Sequence, residues 1–176
     1  VIDLVDKGTK RYVSFELMRG RSLADVVKEG VPLPRAVHIA RQIAEALGAV
    51  HAASIVHRDV KPANVFLVDQ DGDSDFVKLL DIAADGSEGK KVPPGAVVGS
   101  PLYMAPELLK QQGGDHRTDI YAFGVLLCEL LTGRRPFDGD MNDVVKDHLL
   151  TAPPRASSLA LERGIPEPLD LLVNEC

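Results

Sequence analysis

The chain has 176 residues, 45% of them hydrophobic, with 20 Lys and Arg against 26 Asp and Glu, a formal net charge of −6 and a pI near 5.3. That length and apolar content suit one domain with its own core, and the acidic balance argues against nucleic acid or an anionic membrane surface as the main partner. Cys128 and Cys176 are too few and too far apart for a disulfide framework or a zinc site, so the chain reads as cytoplasmic; no apolar run reaches the length of a membrane span and no signal peptide is visible, which says nothing about a longer parent.

Segments 1–6 and 11–17 read as two strands joined by a turn over Lys7-Gly8-Thr9-Lys10. Ser22 is placed to cap a short helix over Leu23–Glu29, stopped by Gly30. Pro34 opens a long helix whose apolar positions Val37, Ala40, Ile43, Ala44, Leu47 and Val50 fall at helical spacing. Val65–Val68 and Phe76–Leu80 read as short strands flanking a polar turn. Thr118–Leu131 is almost uniformly apolar and ends at Gly133, the pattern of a buried central helix. Asp140 caps a further helix to about Leu150, and the Pro- and Ser-rich stretch from Thr151 to Pro168 reads as irregular surface chain. The class is α+β, mainly helical with a few short strands.

The chemistry concentrates in His57-Arg58-Asp59-Val60-Lys61-Pro62-Ala63-Asn64. One carboxylate, one ammonium and one amide within eight residues can take a proton from a hydroxyl, hold a phosphate and hold a metal. On its own the segment also reads as a loop with turn-forming Asp and Asn. It resembles the catalytic loop of eukaryotic-type protein kinases, H-R-D-L-x-x-x-N, with Val60 for Leu. Two further blocks follow in the same order: Lys78-Leu79-Leu80-Asp81, and Gly99-Ser100-Pro101-Leu102-Tyr103-Met104-Ala105-Pro106-Glu107. The resemblance is to bacterial (Hanks-type) serine/threonine kinases, and to myxobacterial members in particular.

The resemblance implies a protein-kinase-like fold, with 1–17 as the end of a small lobe and its hinge strand, and 18–176 as a helical large lobe stopping before its end. It implies ATP and Mg²⁺ as cofactors and a protein with a Ser or Thr acceptor as substrate. No nucleic acid partner is expected, nor a membrane contact within these residues, although a longer parent could be membrane-anchored. Asp59 would orient the acceptor hydroxyl, and Lys61 would neutralise the transferring phosphoryl. Asn64 and Asp81 would hold the metal through hard oxygens. The backbone of Glu16–Met18 would meet the adenine edge above Phe66, with Phe15 at the back of the cleft; these are otherwise ordinary strand and core positions. Ser100 would brace Asp59 and Lys61, or act as a simple turn hydroxyl. Arg58 would capture an activation-loop phosphate or satisfy nearby carbonyls, with Ser87 or Ser100 as the phosphate carrier. His57 would pack beneath the metal turn, Glu107 would be structural, and Asp119 would accept N–H bonds from the catalytic loop.

Asp81-Ile82-Ala83 departs from the family's Asp-Phe-Gly. Ile82 is expected to pack on His57, while Ala83 resists backbone angles open to Gly. That departure supports an alternative, a pseudokinase binding a partner or nucleotide without catalysis. The phosphate-covering loop and the strand Lys–helix Glu pair of the family have no counterpart in this sequence, so a chain of these residues alone is expected to be inactive. Asp69, Asp71, Asp73 and Asp75 alternate like a calcium loop but lack its Gly and Glu, and read as a solvated turn. Gly89-Lys90 lacks the first Gly and the Ser/Thr of a P-loop. His38, His51, His116 and His148 share no metal-ligand spacing.

Overall fold

The structure, a computed structural model, describes residues 3–8, 10–14, 16–82 and 100–176. Phe15, Ala83 and Ser87, with the expectations attached to them, lie outside the described residues. Strands β1 (Asp3–Lys7) and β2 (Lys10–Ser14) form an antiparallel hairpin in which Lys7 pairs with Lys10, the ends of the expected turn.

A three-stranded antiparallel sheet follows, ordered β3 (Gly20–Ser22), β4 (Val65–Gln70), β5 (Asp73–Leu79). The polar turn between β4 and β5 is Asp71-Gly72, with φ of 55° and 84°. Positive φ at both positions is the two-residue geometry whose twist matches flanking strands. The acidic residues around it are divided between roles. Asp75 takes two bonds from Arg35, at 2.7 and 2.8 Å, and Asp73 lies 2.8 Å from His38 Nε2. Both therefore dock the hairpin on the long helix, and no cluster of acidic, His or Cys residues suited to a metal occurs among the described residues.

Strand β3 was not legible in the sequence. It adds to β4 through Gly20, where a Cβ would lie 2.0 Å from the Leu67 carbonyl oxygen. Ser22 then caps α1 (Leu23–Lys28), accepting from Ala24 N–H at 3.2 Å. Helix α2 (Leu33–Ala52) begins one residue before Pro34 and buries Ala36, Ile39, Ala40, Ile43 and Leu47. Val37 and Ala44, expected on that stripe, face solvent. The true stripe runs i, i+3, i+4, i+7, i+11, and Val37 and Ala44 sit one position to its side.

The stretch before the central helix contributes a 3₁₀ turn (Pro101–Tyr103) and the short α3 (Pro106–Leu109). Central helix α4 (Arg117–Thr132) buries Leu126, Leu127, Leu130 and Leu131 almost completely and stops at Gly133, φ 77°, whose N–H bonds back to Glu129 O at 2.7 Å. Only a residue tolerant of left-handed angles closes a helix this way. Helix α5 (Met141–Leu150) is capped by the Asp140 carboxylate, which accepts from Asn142 and Asp143 N–H. The stretch from Thr151 to Pro168 departs from the expected irregular chain in α6 (Ala156–Leu159) and a 3₁₀ turn (Leu161–Arg163) packed against it; α7 (Glu167–Glu175) follows, and α6 and α7 pack on α4. Buried Ala156 and Ile165 join the main core, and the buried Asp170 carboxylate, bonded by Ser157 N–H (2.9 Å) and hydroxyl (2.6 Å), ties α6 to α7.

Candidate active site

The site is built on one buried carboxylate. Asp119, in the first turn of α4, is 1% exposed and accepts His57 N–H at 2.8 Å on one oxygen and Arg58 N–H at 2.7 Å on the other. Two successive amides cannot converge on one side chain from an extended strand. The backbone bends to do so, and Arg58 takes φ of 65°, a left-handed conformation unusual for a residue with a Cβ. His51 Nε2 lies 2.8 Å from the same carboxylate. Full solvation of these donors is replaced by charge-assisted bonds, which is how a buried carboxylate is tolerated.

That bend presents Asp59. Its carboxylate receives Lys61 Nζ at 2.6 and 2.9 Å and Asn64 Nδ2 at 2.7 Å, while Asn64 Nδ2 also reaches the Asp59 carbonyl at 2.8 Å. Asp59 N–H points to His57 Nδ1 at 3.3 Å, so the proton of the neutral imidazole resides on Nε2. That Nε2 is buried and has no hydrogen-bond partner among the described residues. Pro62–Asn64 form a 3₁₀ turn that carries Asn64 back to Asp59.

The structure brings Asp59, Lys61 and Asn64 into direct contact. Asp81 follows closely: Leu80 N–H bonds to the Asn64 backbone carbonyl at 2.8 Å, which joins the end of β5 to the loop. Asp81 is exposed and left-handed, φ 51°, a conformation Asp tolerates better than most residues. Ile82 is 39% exposed. Because Asn64 spends its amide nitrogen on Asp59, its side-chain oxygen is the group left for a cation. That oxygen and the Asp81 carboxylate are hard oxygen donors, the type Mg²⁺ takes.

Phe66 pairs with Ser22 across β3–β4 and with Lys78 across β4–β5. Lys78 Nζ in turn bonds the Glu16 carboxylate, which ties Glu16 to the sheet beside Phe66; Met18 is half-buried. Ser100 and Tyr103 line a small cavity together with Arg58, Asp59 and Val60. A larger groove of about 520 Å³ opens next to it, bordered by Val27, Lys61, Ala63, Ser100, Tyr103 and Arg135. Its wall is held by the Tyr103 hydroxyl, which donates to Glu129 at 2.5 Å. Burial, then the Glu129 charge, pushes the Tyr103 phenol well above its ordinary value, so it remains a donor. Glu107 makes no ion pair among the described residues. Burial, with the Glu107 charge adding to it, pushes the Tyr121 phenol up to about 12.

Three groups escaped the sequence reading: His51, His148 and the Tyr103–Glu129 pair. A signal existed for the histidines. His51 falls four residues after Leu47 and His148 four after Val144, so each extends a buried stripe.

The Pkinase family, described as protein kinase domain, matches residues 1–175. Over 166 residues the chain is 42% identical to the serine/threonine-protein kinase PknE of Mycobacterium tuberculosis, covering 92% of this chain and 28% of that protein. Over 163 residues it is 38% identical to the serine/threonine-protein kinase Pkn1 of Myxococcus xanthus, covering 90% and 24% respectively. It is 40% identical over 167 residues to PknH of Mycobacterium tuberculosis, covering 92% and 26%. The chain thus spans about a quarter of the length of these relatives.

Proposed function

Because the chain belongs to the protein kinase domain family, with bacterial serine/threonine kinases as its relatives, we propose that it supplies the catalytic loop and acceptor side of a kinase that moves the γ-phosphoryl of ATP to Ser or Thr hydroxyls of a protein. Residues 1–17 are read as the end of the small lobe and hinge, and 18–176 as large lobe. The observation that carries the reading is the Asp59 carboxylate, fixed by Lys61 and Asn64 on a backbone gripped by Asp119.

Phosphoryl transfer demands positioning and charge neutralisation more than covalent help. Asp59 accepts a hydrogen bond from the acceptor hydroxyl, aligns its oxygen and takes its proton. Lys61, within reach of the same spot, carries the positive charge that the transferring group requires and favours Ser/Thr acceptors. The Asn64 side-chain oxygen and Asp81 would hold Mg²⁺, which would neutralise the phosphates when ATP is bound. Glu16–Met18 offer backbone groups to the adenine over Phe66, Ser100 braces Asp59 and Lys61 and shapes the substrate pocket, and Arg58 and Glu107 belong to the support of the segment that carries Ser100. The reading places the chain on the cytosolic side of the cell; no helix among the described residues is long and apolar enough to cross a membrane.

The test is Asp59→Asn in the protein at its natural length, with labelled ATP, Mg²⁺ and a Ser/Thr acceptor. Turnover falls by about a hundredfold or more with ATP affinity nearly unchanged, because orientation acts in the transition state. Wild-type turnover in the variant refutes the assignment.

A further inference from the structure

Helix α5 turns one imidazole inward, beneath the segment that carries Ser100. His148 is 4% exposed; its Nε2 lies 3.2 Å from the Leu102 carbonyl and its Nδ1 2.6 Å from the Tyr121 hydroxyl. A carbonyl only accepts, so the proton sits on Nε2. In the neutral ring Nδ1 is then an acceptor for the Tyr121 hydroxyl. The rings of Phe137 and Tyr121 meet the imidazole edge-on, with centroids at 5.0 and 5.6 Å, and fix its plane. Burial lowers the imidazole pKa against the opposing pull of the Leu102 carbonyl and Asp147, which favours the neutral form this pattern needs.

Leu102 is the middle residue of the 3₁₀ turn Pro101–Tyr103. Its own backbone bonds are long: Tyr103 N–H to Ser100 O at 3.2 Å, and Met104 N–H to Pro101 O at 3.3 Å. Such a single turn has poor hydrogen-bond geometry and does not hold itself. Yet it carries Ser100 and Tyr103, which flank the same cavity as Asp59. The group that fixes it from below comes from a different helix. His148 is itself not among the residues that line that cavity or the larger groove.

The geometry points to His148 as a positioning residue for the acceptor segment: its Nε2–H clamps Leu102 and so sets where Ser100 stands beside Asp59, without contact to nucleotide or reacting atoms. The kinetic half of this inference rests on the phosphoryl-transfer reading above; the structural half does not.

Two measurements on the natural-length protein separate them. The first is amide hydrogen exchange, which needs no activity. Asn at 148 retains a polar group near Tyr121 but falls short of Leu102, whereas the longer Gln carries its amide nitrogen where Nε2 was. His148→Asn speeds exchange at Tyr103 and Met104 about fivefold, the loss of one neutral hydrogen bond, while Ile43 and Leu47 in α2 are unchanged. His148→Gln stays near wild type. The second is steady-state kinetics: His148→Asn raises KM for an acceptor peptide about fivefold with KM for ATP unmoved, and His148→Gln restores it. Equal behaviour of Asn and Gln, or exchange that rises uniformly through α2, overturns the proposal. If the wild-type protein transfers no phosphate, the functional reading fails, and the exchange comparison still decides whether His148 positions the turn.

Discussion

Replacing Asp119 by Asn probes the point on which the whole site is hung. The carboxylate makes three contacts, at 2.8, 2.7 and 2.8 Å, and sits at 1% exposure beside a His57 that is wholly buried. Asn keeps one acceptor oxygen, so one of the two backbone N–H groups retains a partner. The other meets an NH₂ group, donor against donor, and the charge that strengthened all three bonds is gone. A hydrogen bond to a charged group contributes about 1.5–3 kcal/mol, and an orphaned buried donor costs about 1–3 kcal/mol. A loss of about 3 kcal/mol is therefore expected, against a total stability of about 5–15 kcal/mol for a typical domain. The fold survives this, but the local grip does not. Arg58 has no reason to hold φ of 65° once its N–H and that of His57 stop converging on one acceptor. Native-state hydrogen exchange in the natural-length protein reads this directly: the amides of His57 and Arg58 exchange about a hundredfold faster, since each 1.4 kcal/mol is a factor of ten. Unchanged exchange at those two amides, with an unchanged denaturation midpoint, refutes the account of Asp119 as the anchor of the loop.

Two other substitutions test the frame around the site. Gly20→Ala places a methyl 2.0 Å from the Leu67 carbonyl oxygen, so β3 must peel from β4. A loss of about 1–3 kcal/mol in denaturant unfolding is expected, together with faster exchange in β3, and a neutral result shows that β3 is not held as described. Asp170 is buried, and its carboxyl is lowered below its ordinary 3.8: burial pushes it up, but the two Ser157 bonds, the Arg155 charge and the Ala156 N–H outweigh that. A depressed carboxylate stabilises the fold above its unfolded pKa and loses that contribution as pH falls through the folded value, here below about pH 4. Asp170→Asn lowers the melting temperature at pH 7 and flattens the acid limb of the stability curve; an acid limb of unchanged slope refutes the linkage.

Much of this site could be read before any coordinates. The loop His57–Asn64 packs its reactive groups into eight residues, so local sequence carries nearly all of Asp59, Lys61 and Asn64, and a short turn is enough to bring the last two onto the first. The helices with caps were equally plain: Ser22, Asp140 and Gly133 act within one turn of their own position, which is the range sequence reads well. What sequence could not decide were contacts between residues far apart in the chain. The grip of Asp119 on His57 and Arg58, across 62 and 61 residues, was expected only through the family resemblance and is as expected, whereas nothing in the sequence pointed to the clamp of His148 on Leu102 across 46. Strand β3 is three residues long and exists because β4 offers an edge, and the proline-rich tail acquires a core only because α4 leaves apolar surface to cover. The face of α2 turned on a 100° step per residue, so an error of one position moved Val37 and Ala44 from core to solvent. Local chemistry is fixed by neighbours along the chain; the bends, edges and buried partners that aim it are fixed by where the chain returns, and those distances are set only by packing the whole.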